Sequence, residues 1–110
     1  MGKFIKGDVV VVPFPFSDLT STKKRPALVV ATMLGDDIIL AQITTKSVSD
    51  SYAIEISSSD FSTGFLNQDS LVRPNRIFTA DSNIVSHKVG SLKSSKLHEV
   101  ISKIIEILNS

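Results

Sequence analysis

Arg25 stands between Lys24 and Pro26 in the run Lys23-Lys24-Arg25-Pro26. A guanidinium presents five donors in a planar fork and stays charged at any working pH, so it can hold an anion and stabilise charge that develops on it. Pro26 restricts the residue before it to extended backbone, which fixes how Arg25 leaves the chain. Two readings follow: a phosphate clamp, or a solvated cationic run that keeps a strand edge soluble. A second candidate is Gln42-Ile43-Thr44-Thr45-Lys46, where a buried-looking strand opens into hydroxyls and a cation. Taken alone, it is equally an ordinary strand end, since Thr suits strands. The third lies in residues 70–81, where Ser70, Arg73, Asn75, Arg76, Thr79 and Asp81 make a polar strand. Such a strand is either a binding edge or simply half-exposed.

What is missing narrows the chemistry. The chain has no Cys and two His, His87 and His98, far apart and without the spacing of metal ligands. There is no Gly-rich phosphate loop and no nucleophilic Ser elbow. A bound metal, a cofactor and a His-centred triad are therefore not expected. His98 falls off the apolar stripe of its helix and is expected to face solvent.

The elements that must carry these residues are short. Residues 9–12 are four consecutive Val, a β-branched run suited to a strand covered on both faces. Pro13 and Pro15 remove two amide donors, so residues 13–16 must leave the ladder or lie on an edge. Residues 17–24 read as an exposed loop. Strand signals resume over 27–31, turn at Gly35-Asp36-Asp37, and return over 38–43. Residues 44–51 form a second polar loop. Tyr52, Ile54 and Ile56 then alternate with Ala53 and Glu55 as a short strand. Residues 57–69 leave room for one helical turn around Phe61. Residues 70–79 read as a strand broken by Pro74, which implies a bulge or an edge. A strand around Val89 ends at Gly90-Ser91. Leu97, Val100, Ile101, Ile104, Ile105 and Leu108 then mark an amphipathic helix that Ser94 or Ser95 can cap. Five or six short strands and one helix predict a mainly β fold. Its simplest form is a small, strongly bent antiparallel sheet or barrel with a C-terminal α-helix packed on it.

Composition sets outer limits. The 110 residues are 42% hydrophobic and 21% charged, the proportions of one globular domain over residues 1–110. Twelve Lys and Arg against eleven Asp and Glu leave a formal charge of +1. A protein that coats polyanions needs far more, so any nucleic-acid role must rest on a local basic patch. No apolar run approaches the ~18–20 residues that cross a bilayer, and the first eight residues lack a signal-peptide core. A soluble, cytoplasmic protein with no membrane partner is expected.

Several pieces together resemble the MazF/PemK toxins of toxin–antitoxin systems. They are Gly7-Asp8-Val9-Val10, Phe14-Pro15-Phe16-Ser17-Asp18, Lys24-Arg25-Pro26-Ala27-Leu28-Val29-Val30 and Ala41-Gln42-Ile43-Thr44, followed by Gly64, Ser70, Thr79, Asp81 and Gly90-Ser91-Leu92. The resemblance spans nearly the whole chain. It implies an SH3-like barrel with a C-terminal helix, usually a homodimer, and a metal-independent endoribonuclease that cuts single-stranded RNA and is neutralised by a cognate antitoxin. Arg25 resembles the family's catalytic Arg before Pro, and Thr44 its hydroxyl residue. The expected RNA-binding residues are Lys23, Lys24, Phe16, Ser17, Thr45, Lys46, Ser70, Arg73, Asn75 and Arg76, with Phe14 a further candidate for stacking on bases. Two departures matter. The segment from Phe14 to Asp18 replaces the Ser-Glu-Gln type loop of well-known members, and Asn75-Arg76 stands where many carry Gln, so base preference does not transfer.

Metal-free RNA cleavage proceeds by attack of the ribose 2′-OH on the adjacent phosphate, leaving a 2′,3′-cyclic phosphate and a 5′-OH. The enzyme must stabilise a dianionic transition state and move two protons. Arg25 suits the first task and Thr44 can donate to a non-bridging oxygen. A guanidinium, with a pKa above ~12, is a poor proton acceptor, so the sequence names no general base. The competing reading is a non-enzymatic module on the same barrel that binds nucleic acid or a topoisomerase.

Overall fold

A computed structural model describes residues 3–14 (Phe14 by its backbone alone), 23–45 and 50–110. Its elements are β1 (Asp8–Phe14), β2 (Lys23–Thr32), β3 (Asp37–Thr44), β4 (Ile54–Ile56), β5 (Phe61–Gly64), β6 (Ser70–Asp81), β7 (His87–Leu92) and α1 (Ser94–Leu108), with 3-10 turns at Ser58–Asp60 and Ser82–Ile84. The strands form one antiparallel sheet in the order β4-β6-β3-β2-β1-β7-β5. The fold is mainly β, a curled half-barrel closed by a C-terminal helix.

The curl has identifiable causes. The pairing register slips in β1 between Val9 and Val10, in β2 between Val29 and Ala31, and in β5 between Phe61 and Thr63. The largest break lies in β6. Ala41 of β3 faces Ile77 while its neighbour Gln42 faces Arg73, so Pro74, Asn75 and Arg76 bulge out of the ladder. This is the interruption expected at Pro74, because a residue without an N–H cannot serve an internal ladder.

The run of four valines feeds two cores. Val9 joins Leu28, Val30, Ala41, Ile43, Val72 and the helix residues Val100 and Ile104 on one side of the sheet. Val10 and Val12 join Ala27, Val29, Ile38 and Leu40 on the other. Each fully buried Val or Leu contributes about 1.5–3 kcal/mol relative to exposure, so β1, β2 and β3 are pinned from both faces. Pro13 does lie on an edge: pairing with β7 stops at Val11, while pairing with β2 runs on to Phe14.

Some boundaries move. The strand expected over 27–31 begins at Lys23, because its neighbour β1 continues through Pro13 and supplies a pairing edge. Residues 57–69 hold a strand, β5, beyond the single turn anticipated. Four residues with Ser, Thr and Gly carry no strand signal, and only tertiary pairing with β7 makes one. The helix N-cap is Lys93, with no side-chain cap bond, so Ser94 and Ser95 lie inside the first turn. Of the apolar stripe, Val100 and Ile104 are buried while Ile105 and Leu108 are exposed. Among the described residues, no helix is long and apolar enough to cross a membrane.

Candidate functional site

Strand register decides which polar residues can meet. On β2, Arg25 lies opposite Val12 of β1, and Ala27 lies opposite Gln42 of β3. Continuing that register by two residues sets Arg25 across from Thr44. Directly opposed residues of an antiparallel pair share a face, and alternate residues of one strand do too. Ala27 and Val29 belong to the second core, as do Ile38 and Leu40. Arg25, Gln42 and Thr44 therefore extend that face to one end of the sheet. The paired ladder between β2 and β3 ends at Ala27, one residue short of Pro26, which has no N–H to offer.

β6 adds a second guanidinium. Arg73 is opposite Gln42 and Leu71 is opposite Thr44, so Arg25, Gln42, Thr44 and Arg73 occupy one face across three adjacent strands. Thr44 is buried, 7% exposed, and Arg25, Gln42 and Arg73 are half-buried. Thr44 is the buried member of this surface, on the strand between those that carry the two arginines. Lys23 follows the same alternation as Arg25 and is exposed.

Arg73 is held from behind. Its Nε donates to Oδ2 of Asp50 at 3.1 Å, and the Asp50 side chain is only 5% exposed. The other oxygen, Oδ1, accepts the Tyr52 backbone N–H at 2.9 Å. The Tyr52 amide is the main cause that holds the Asp50 carboxyl below its ordinary value, with Arg73 and Asn75 acting in the same direction and burial against them. Asp50 thus joins the bulge of β6 to the segment leading into β4.

The remaining expected site residues scatter. Lys24 alternates to the opposite face, where its Nζ donates to Ser86 Oγ at 3.3 Å. Asn75 and Arg76 are exposed on the bulge. Ser70 is buried opposite Ile56 and donates to the Gln68 carbonyl at 3.0 Å, an arrangement that closes a turn. Thr45 is exposed and, with Ser70, Ser57, Asp60 and Lys96, lines a groove of about 450 Å³ at the β4 edge. Phe16, Ser17 and Lys46 lie outside the described residues, as does the Phe14 side chain. His87 and His98 are exposed, and among the described residues no three His, Cys, Asp or Glu side chains gather as metal ligands.

Two residues of this surface were not among the expected catalytic or RNA-binding residues. Gln42 carried a usable signal, since it lies two residues from Thr44 on one strand. Asp50 carried none, because a single Asp in a polar stretch reads as loop until the register of β6 brings Arg73 beside it.

The family model described as PemK-like, MazF-like toxin of type II toxin–antitoxin systems matches residues 5–108. The chain belongs to this family. The MazF-like match runs from ahead of β1 through α1 and so includes the whole Arg25 face. Solved MazF-like structures share the fold. Mycobacterium tuberculosis toxin MazF-mt6 is 18% identical with a TM-score of 0.72, covering 93% of this chain and 96% of that one. MazF from Deinococcus radiodurans is 16% identical with a TM-score of 0.73, covering 96% of each chain. A mycobacterial endoribonuclease solved in complex with its cognate antitoxin is 14% identical with a TM-score of 0.75, covering 96% of this chain and 95% of that one. No curated protein matches this chain.

Proposed function

We propose that this MazF-like chain is a metal-independent endoribonuclease that cleaves single-stranded RNA and is neutralised by a cognate antitoxin. The observation that carries the reading is the sharing of one face by Arg25, Thr44 and Arg73 across β2, β3 and β6. In this reading the ribose 2′ oxygen attacks the adjacent phosphorus as the bond to the 5′ oxygen breaks, giving a 2′,3′-cyclic phosphate and a 5′-OH. Arg25 donates to the non-bridging oxygens as negative charge accumulates, and Thr44 donates a hydrogen bond that fixes the phosphate in line. Arg73 and Lys23 add cationic grip.

The partners follow from the same reading. Single-stranded RNA is the substrate, and an antitoxin segment covers the Arg25 face, as a cognate antitoxin accompanies the mycobacterial endoribonuclease. The active species is a homodimer in the cytoplasm.

The test is incubation of the purified protein with a long single-stranded RNA in EDTA, with both new ends identified. Fragments with cyclic phosphate and 5′-OH ends support the reading. Intact RNA, or cutting that EDTA abolishes, overturns it, and intact RNA with retained affinity for nucleic acid or a topoisomerase favours a binding module.

A further inference from the structure

A carboxylate is an unwelcome neighbour for RNA, yet Asp50 lies against Arg73 on the edge of the proposed cleavage face. Its geometry is unlike the usual arginine–carboxylate fork, in which two oxygens meet two N–H groups side by side. Here Oδ1 is taken by the Tyr52 N–H at 2.9 Å, an Asx-turn that locks Asp50 to its own backbone. Only Oδ2 reaches Arg73, and it does so at Nε, 3.1 Å away. The four N–H groups on the two Nη atoms have no ion-pair partner among the described residues. The Arg73 side chain is 17% exposed, against 5% for Asp50, so the acid is covered and the base is what solvent meets.

We infer that Asp50 is a positioning residue for RNA binding: it grips Arg73 by Nε and so presents both Nη groups to an RNA phosphate flanking the one held by Arg25. The inference rests on the ribonuclease reading above. Arg73 stands two strands from Arg25, with β3 between them, and opposite Gln42 instead of Thr44. It is therefore offset from the reacting phosphate and suited to its neighbour along the strand. An arginine fixed before the ligand arrives loses less side-chain freedom on binding than one that must be ordered by it.

The two physical effects of Asp50 have opposite signs, which makes the inference testable. Simple electrostatics says that removing an acid near the groove tightens RNA binding, since the net charge of +1 becomes more positive. Positioning says that it weakens binding. The probe is a single-stranded RNA of mixed sequence methylated at every 2′ oxygen, which cannot be cut, titrated against wild type, Asp50→Ala, Arg73→Ala and the double variant. Asp50→Ala is expected to bind roughly tenfold more weakly, the loss of about one charge-assisted hydrogen bond. Adding Asp50→Ala to Arg73→Ala should cost little more, because the acid acts through the arginine. Asp50→Asn, which keeps the side-chain volume and one acceptor, serves if Asp50→Ala melts too low, and should fall between. Unchanged or tighter binding by the Asp50 variants, or losses that add, overturns the inference and leaves the ribonuclease reading standing. Absence of binding by the wild type overturns both.

Discussion

The Ser91 hydroxyl donates to the Asp8 carboxylate at 2.8 Å, across 83 residues of sequence. Asp8 opens β1, Ser91 lies opposite it on β7, and Asp8 is 2% exposed. Its Oδ1 also meets Lys88 Nζ at 3.3 Å, and its Oδ2 accepts the Ile5 N–H at 3.0 Å. The Gly7-Asp8 and Gly90-Ser91 pieces of the chain are thus one structural joint, remote from Arg25.

Asp8→Ala removes the acceptor for both the Ser91 hydroxyl and the Ile5 amide. Hydrogen bonds to a charged group contribute ~1.5–3 kcal/mol each, with partial recovery by water, so a loss of about 2–4 kcal/mol in unfolding free energy is expected. Urea denaturation measures it. The fraction that remains folded should keep wild-type RNA cleavage, since no residue of the cleavage face changes. A loss below about 0.5 kcal/mol, the size of an ordinary surface change, would show that the joint contributes nothing.

Gly90→Ala should destabilise by a different route. Gly64 and Gly90 face each other where β5 meets β7, and a methyl group at Gly90 would run into the Thr63 carbonyl and the Gly64 backbone. Neither obstacle is the end of a flexible side chain, so the strands must separate. The expected cost is about 1–3 kcal/mol, the range of overpacked sites, read as a lower melting temperature. Gly35→Ala meets nothing within 4 Å, but its φ of 82° penalises a side chain. Its cost is set by backbone strain alone and should be about 1–2 kcal/mol.

Acid should weaken the Asp50 anchor in a defined window. The Tyr52 amide and Arg73 hold its carboxyl below the ordinary aspartate range in the folded chain. The unfolded chain therefore takes up this proton first as pH falls. The stabilisation is complete above the unfolded value and disappears as pH drops through the lower folded one. The stability difference between wild type and Asp50→Asn, followed by chemical denaturation from pH 6 to pH 2, should be constant down to about pH 4 and shrink below it. A difference that shrinks between pH 6 and pH 5 would contradict this assignment.

The legible parts of the fold were those written in local pattern. Residues 9–12 declared a strand buried on both faces, Pro74 declared the bulge, and the helix followed from the spacing of Leu97, Val100 and Ile104. β5 was hidden because its strand character comes from β7, and the start of β2 because Lys23 and Lys24 look like loop until β1 pairs with them. At the candidate site, Arg25 and Thr44 stand out in the sequence through their flanking residues. Whether they shared a face was not, because a one-residue slip of β2 against β3 would have reversed it. Asp50 and the turning away of Lys24 toward Ser86 are consequences of register and could not be read from composition.

The central claim is that Arg25 and Thr44 act on the same phosphate. It is tested most directly by a double-mutant cycle on single-turnover RNA cleavage in EDTA, with melting curves to verify folding. Arg25→Ala should slow cleavage by about 10²–10³, the cost of removing one donor to developing negative charge. Thr44→Val should slow it about 10–100-fold, the equivalent of one hydrogen bond to a charged group. If the two side chains hold one phosphate, the double variant should be little slower than Arg25→Ala alone. A double variant slowed by the full product of the two single effects, or Arg25→Ala cleaving at the wild-type rate, would contradict the account.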